Sequence, residues 1–165
     1  MKTAIVLLMA LTVLLAVSAV AVQAAGFQFT PQAGFGGASE GNGTLQLFFG
    51  AQRPYHVESY GKPLADGMFR LDQTVLFRGK PPARRHWILT TVRPGTYIGT
   101  LSDASGRVTG HAEGSRLLLR YRLAGPLVMH QTLEFMPDGT IDNVGRITLL
   151  GIPVGHLRET IMKGR

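Results

Sequence analysis

The sequence predicts an all-β domain, an antiparallel up-and-down barrel of about 8–10 strands behind an N-terminal export signal. Three observations carry this. Short β-like runs recur from Thr44 to the C-terminus, with dense turn signals between them. Their apolar residues alternate onto one face. No stretch from Thr44 onward keeps a helical period of 3.6.

The first element is Met1–Ala24. Lys2 gives a positive start, and Ala4–Val22 is apolar except for Thr12 and Ser18. Small residues follow, and Val22-Gln23-Ala24 suits signal peptidase with the cut before Ala25. The apolar run is near the length of a membrane anchor, but no basic stop-transfer cluster follows it. Removal of residues 1–24 leaves an exported protein, periplasmic or envelope-associated. No cysteine stands near the cut, so a lipid-anchored form is not expected.

Residues 25–43 are rich in Gly, Ala and Ser, with Phe27, Phe29 and Phe35 among them. They read as a flexible leader, or as an arm whose phenylalanines cover one end of the domain. The barrel domain is then 44–165. Its expected strands are Thr44–Phe49, Tyr55–Tyr60, Met68–Arg78, His86–Val92, Thr96–Leu101, Arg107–Glu113, Arg116–Leu123, Leu127–Phe135, Thr140–Leu149 and Gly155–Met162. Pro94-Gly95 suits a type II turn. A two-residue II′ turn at Gly114-Ser115 pairs Glu113 with Arg116, His111 with Leu118, Thr109 with Arg120 and Arg107 with Arg122. The other face then carries Ala112–Leu117, Gly110–Leu119 and Val108–Tyr121. In Met68–Arg78, Phe69, Leu71, Val75 and Phe77 share a face opposite Arg70, Asp72, Thr74 and Arg78. Short sequential connections favour a barrel over a sandwich, because closure removes exposed edges.

The order of several motifs resembles an uncharacterised bacterial family of exported, lipocalin-like proteins, catalogued as a domain of unknown function. The residues that carry it are Leu47-Phe48-Phe49-Gly50, Gly79, Arg85-His86-Trp87, Tyr97-Ile98-Gly99-Thr100, Ser102–Gly106, Gly110, Gly114, Tyr121, Gly151–Gly155 and Lys163. The resemblance covers roughly 44–163. It implies a calycin-type barrel in the bacterial envelope and no particular reaction. Members often carry a lipoprotein cysteine and a Gly-Asn-Ala motif; this chain has neither, with Gly114-Ser115-Arg116 at the latter place.

Composition narrows the chemistry. The chain has no cysteine, so thiolate catalysis, disulfides and cysteine zinc sites are excluded. The net charge is +7, and arginine outnumbers lysine, which favours anionic partners such as a membrane surface. Nucleic acid is not expected of an exported protein with dispersed arginines. No nucleophile elbow, phosphate loop, His-Glu-x-x-His or dinucleotide fingerprint occurs. His56/Glu58, His111/Glu113 and His130/Glu134 share strand faces, but they are spread over an exterior, so no metal site is expected. No cofactor and no catalytic set are expected; His86, Tyr97, Asp103 and Tyr121 are the residues an enzyme would use.

A barrel of this size either fills with side chains or holds a small guest. Small inner residues, Gly110 and Ala112, lie beside Leu119 and Tyr121. Phe69 and Phe77 make the wall apolar, and Trp87 either packs the core or walls a cavity. Arg85 and the hydroxyls of Tyr97 and Tyr121 are candidates for a polar head group. Asp103 is a turn residue with a rim position as its functional alternative. The expected activity is non-catalytic binding of a hydrophobic, lipid-like molecule through Phe69, Phe77, Arg85, Trp87, Tyr97, Asp103, Gly110, Leu119 and Tyr121. The alternative is a structural or interaction role at the envelope, through the basic outer face of Arg107, Arg116, Arg120 and Arg122.

Overall fold

The computed structural model describes residues 28–164. The expected signal, its cut before Ala25, and Phe27 lie outside the described residues. A short helix α1 (Pro31–Phe35) leads into ten strands: β1 (Gly37–Leu47), β2 (Arg53–Pro63), β3 (Met68–Phe77), β4 (Ala83–Arg93), β5 (Thr96–Leu101), β6 (Ser105–Glu113), β7 (Arg116–Arg122), β8 (Leu127–Phe135), β9 (Ile141–Leu149) and β10 (Ile152–Lys163). Each strand pairs with the next, and β1 closes on β10, giving an antiparallel barrel. Closure leaves no strand edge for another chain to join.

The inward face follows the alternation. Leu71, Trp87, Leu89, Val108, Leu117, Leu119, Met129, Leu133, Ile147 and Leu157 are buried in one core. The outward face is charged. Arg120, His130 and Arg146 adjoin across β7, β8 and β9. Arg70 pairs with Asp72 at 2.7 Å on β3, which holds the Asp72 carboxyl below its ordinary range. A charged belt of this kind takes the place of the apolar band that a membrane-spanning barrel requires.

The β6–β7 hairpin has the expected register from Glu113–Arg116 to Thr109–Arg120, with Gly114 at φ +56° in the turn. The two outermost expected pairs fail. The register shifts between Ser105 and Thr109, so Ser105, not Arg107, faces Arg122, and Val108 does not face Tyr121. An irregularity of that sort breaks the simple counting that a hairpin turn otherwise sets.

The expected boundary at residue 43/44 is also corrected. Gly37–Gly43 belong to β1 and pair with β2, and from Ser39 onward also with β10. The preceding residues are ordered as well. Thr30 caps α1 by accepting from the Ala33 amide at 3.0 Å, and Pro31 stands in its first turn. The Phe29 amide donates to the Gly114 carbonyl at 2.7 Å. Phe29 and Phe35 are buried, and Phe29 packs on Phe135 at a centroid distance of 4.7 Å. The two rings close the end of the barrel that carries the β2–β3, β4–β5, β6–β7 and β8–β9 turns. Gly61 makes room for this closure: a Cβ there would collide with the Phe35 carbonyl and sit 2.6 Å from the Phe69 ring.

Candidate functional site

A continuous row of polar side chains crosses the apolar interior. On β7 to β10, alternation turns Tyr121, Gln131, Asn143 and Glu159 inward. The Tyr121 hydroxyl donates to Gln131 Oε1 at 2.7 Å. Gln131 Nε2 donates to Asn143 Oδ1 at 3.1 Å, and Asn143 Nδ2 donates to Glu159 Oε2 at 2.8 Å. The Tyr55 hydroxyl also bonds the Glu159 carboxylate. Each member satisfies the next, which is the condition for keeping polar groups in a core.

A second group stands on β2, β3 and β4. Gln73 Oε1 accepts from the Trp87 indole at 2.7 Å and from Arg85 Nε at 2.9 Å, and Gln73 Nε2 donates to Ser59 Oγ at 3.1 Å. The Arg85 guanidinium lies 5.9 Å from the Trp87 ring centroid, within cation–π range. Trp87 meets Tyr121 edge-on at 5.1 Å, joining the two groups.

The electrostatics follow from enclosure. Burial raises the Glu159 carboxyl above its ordinary range; the Asn143 hydrogen bond and the Arg85 charge oppose that shift without cancelling it. Burial likewise pushes the hydroxyls of Tyr55 and Tyr121 up, so both remain donors at neutral pH. The belt thus presents a cation, a carboxyl group whose ionisation burial disfavours, and amides, all inside apolar walls. Ser39 Oγ is buried with no hydrogen-bond partner among the described residues.

Two spaces adjoin this belt. An internal cavity of about 30 Å³ lies between it and the Phe35 ring, lined also by Phe69, Leu71, Leu89, Leu119 and Leu133. That is room for about one or two waters. An open groove of about 420 Å³ runs along Pro31 and Gln32 at the capped end, over Met68, Pro94 and Tyr97. Phe69 and Leu89 line both spaces, so a thin apolar wall divides them.

The residues expected from sequence separate accordingly. Phe69, Arg85, Trp87 and Leu119 line the cavity, and Tyr121 belongs to the belt. Gly110 leaves no free space, because Leu119 and the Tyr97 Cβ stand 3.0 and 3.2 Å from where its own Cβ would be. The room expected from small inner residues is therefore filled by their neighbours. Tyr97 faces the groove, and its hydroxyl donates to the Phe29 carbonyl at 3.3 Å. Phe77 stacks on Tyr55 at 5.6 Å, away from the cavity lining. Asp103 sits in the β5–β6 turn at the opposite end from Tyr97, 4.0 Å from Arg85. His86 is exposed, so the four residues named for an enzyme do not converge. His111 pairs with Glu113 at 3.4 Å on the outside.

Gln73, Gln131, Asn143, Glu159 and Tyr55 were missed. A signal existed: Leu157-x-Glu159-x-Ile161, Ile141-x-Asn143-x-Gly145 and Met129-x-Gln131-x-Leu133 each put one polar residue in an inward apolar row.

Fold and belt define a lipocalin-like barrel with a polar-lined interior. The chain belongs to the family described as "Protein of unknown function (DUF3833)", which matches residues 8–163. No curated protein matches. Among solved structures, it is similar in fold to the S-type phycobiliprotein lyase CPES from Guillardia theta, with a TM-score of 0.62 at 7% identity, over 79% of this chain and 88% of that one.

Proposed function

We propose that the protein is an exported, periplasmic or envelope-associated binding protein for a hydrophobic, lipid-like molecule that bears a polar group, and that it does not act as a catalyst. The observation that carries this reading is the polar belt at the base of an apolar cavity that shares its Phe69 and Leu89 wall with a ligand-sized groove. Apolar walls take the tail. Arg85, Asn143 and Glu159 take the polar group, and an acid head meets the Arg85 guanidinium.

The cavity is too small for such a guest while Phe35 stands in its wall. Binding therefore requires Phe35 to withdraw, and the guest's affinity is reduced by the free energy of that opening. α1 packs chiefly on β2 and β3, and Gly36-Gly37 follow it. Export rests on the N-terminal pattern of residues 1–24. The similar solved structure, named a phycobiliprotein lyase, shares the barrel fold.

Native mass spectrometry of the protein, purified as the cell processes it, tests the reading. A discrete added mass that organic extraction removes and identifies as a lipid-like compound supports it. Unadducted protein from every preparation, together with no uptake of added fatty acid or phospholipid, refutes it.

A further inference from the structure

The end of the barrel opposite α1 carries a surface that the interior site does not use. The β1–β2 and β9–β10 turns lie side by side there, since β1 pairs with β10. They expose Phe48 at 56%, Phe49 at 105%, Leu150 at 84% and Ile152 at 68%. These side chains are held outward. The Phe48 amide donates to the Val154 carbonyl, and the turn is tied back by Gly50 to Leu47 at 3.0 Å and by Gln46 Nε2 to the Gly50 carbonyl at 2.9 Å. Phe48 and Leu150 adopt φ of +52° and +50°, a region that bulky residues avoid, so the apolar side chains are kept at turn tips where Gly or Asn would fit more easily.

Charge on this end is positive but for one carboxylate. Arg53, Lys80, Arg146 and Arg158 border the apolar tips. Within all the turns and strand ends at this end, Asp103 is the sole carboxylate among the described residues, and it faces Arg85. The other end carries Asp66, Glu113, Glu134, Asp138 and Asp142. The barrel is therefore polarised along its axis.

We propose that this end docks on an anionic lipid bilayer, with Phe48, Phe49, Leu150 and Ile152 entering the interfacial zone and the basic rim meeting the head groups. Protruding aromatic and aliphatic tips ringed by arginine match the layering of a membrane surface: apolar below, anionic at the plane. The inference stands apart from the interior guest, since none of these tips lines the cavity.

Flotation with vesicles tests it, using the full chain purified as the cell processes it. Wild type is expected to float with vesicles of phosphatidylcholine mixed with phosphatidylglycerol, and at least tenfold less with phosphatidylcholine alone or at high salt. Phe49→Ser and Leu150→Ser together are expected to reduce flotation at least tenfold, as is Arg146→Glu with Arg158→Glu. Thermal unfolding of each variant serves as the control for folding. Equal flotation with neutral and anionic vesicles, or flotation indifferent to both pairs of substitutions, overturns the proposal. So does a wild type that stays with the buffer and instead forms dimers that Phe49→Ser dissociates.

Discussion

At the end where α1 sits, Phe29 and Phe35 are buried against Phe135 and Phe69, and the surrounding turns carry carboxylates. At the other end Phe48 and Phe49 stand in solvent among arginines and Lys80. The same residue type thus does opposite things. At the first end the rings complete a core that the strands alone leave open. At the second they contribute little to the fold, and the backbone adopts costly dihedrals to present them. A ten-strand barrel has two mouths to manage; here one is plugged from within and the other bears an outward-facing apolar rim.

The comparison is broken most severely at the plug. Phe29→Ala removes a fully buried ring and two aromatic contacts, and it is expected to cost about 3–5 kcal/mol in chemical denaturation. A loss near that of a surface substitution would mean that the N-terminal segment is not part of the folded core. Next in size is Gln131→Leu, which leaves the Tyr121 hydroxyl and an Asn143 oxygen without partners. About 2–4 kcal/mol should be lost, and Tyr121→Phe combined with it should recover part of that loss. Strict additivity of the two changes would show that the row is not coupled.

The pH dependence is sharper in sign than in size. A carboxyl whose folded pKa is raised by burial binds its proton more tightly in the folded state. Glu159 therefore favours folding at acid pH, and that contribution is lost as pH rises from about 4.3, the unfolded value, through the raised folded pKa. Glu159→Gln, which keeps an acceptor for Asn143, should remove this fall, so its stability relative to wild type grows from acid to neutral pH. A difference that stays constant across that window would contradict the assignment. The smallest effects belong to the open end. Leu150→Gly relieves a positive φ and should change stability by no more than about +1 kcal/mol, while Phe49→Ser should stay within about 0.5 kcal/mol of wild type. A large destabilisation in either, measured by denaturant midpoint, would mean that these tips serve the fold after all.

Much of the barrel is legible in the sequence because a half-buried strand writes its burial every second residue. Ten runs correspond to ten strands, and the Gly114 hairpin is in register to Thr109. Beyond Thr109 it fails, since a register shift leaves no compositional mark. Gly37–Gly43 reads as linker because glycine is poor in strands; here the missing side chains make room for the Tyr55 ring at Gly43 and the Glu159 carboxylate at Gly41. The site is only half visible for a related reason. Trp87, Arg85 and Tyr121 attract notice by type, whereas Gln131, Asn143 and Glu159 have meaning only once three separate strands are known to be neighbours. Whether the interior is hollow cannot be read from inner glycines, because what occupies their space comes from other strands and from α1.

Trp87 is the only tryptophan in the chain and lines the cavity, so its emission reports directly on what enters the barrel. Titration with a long-chain fatty acid should shift that emission saturably in wild type, and at lower ligand concentration in Phe35→Ala, where a ring that lines the cavity is gone. An emission spectrum that stays unchanged in both proteins, with each still folded by circular dichroism, would contradict a guest site inside the barrel.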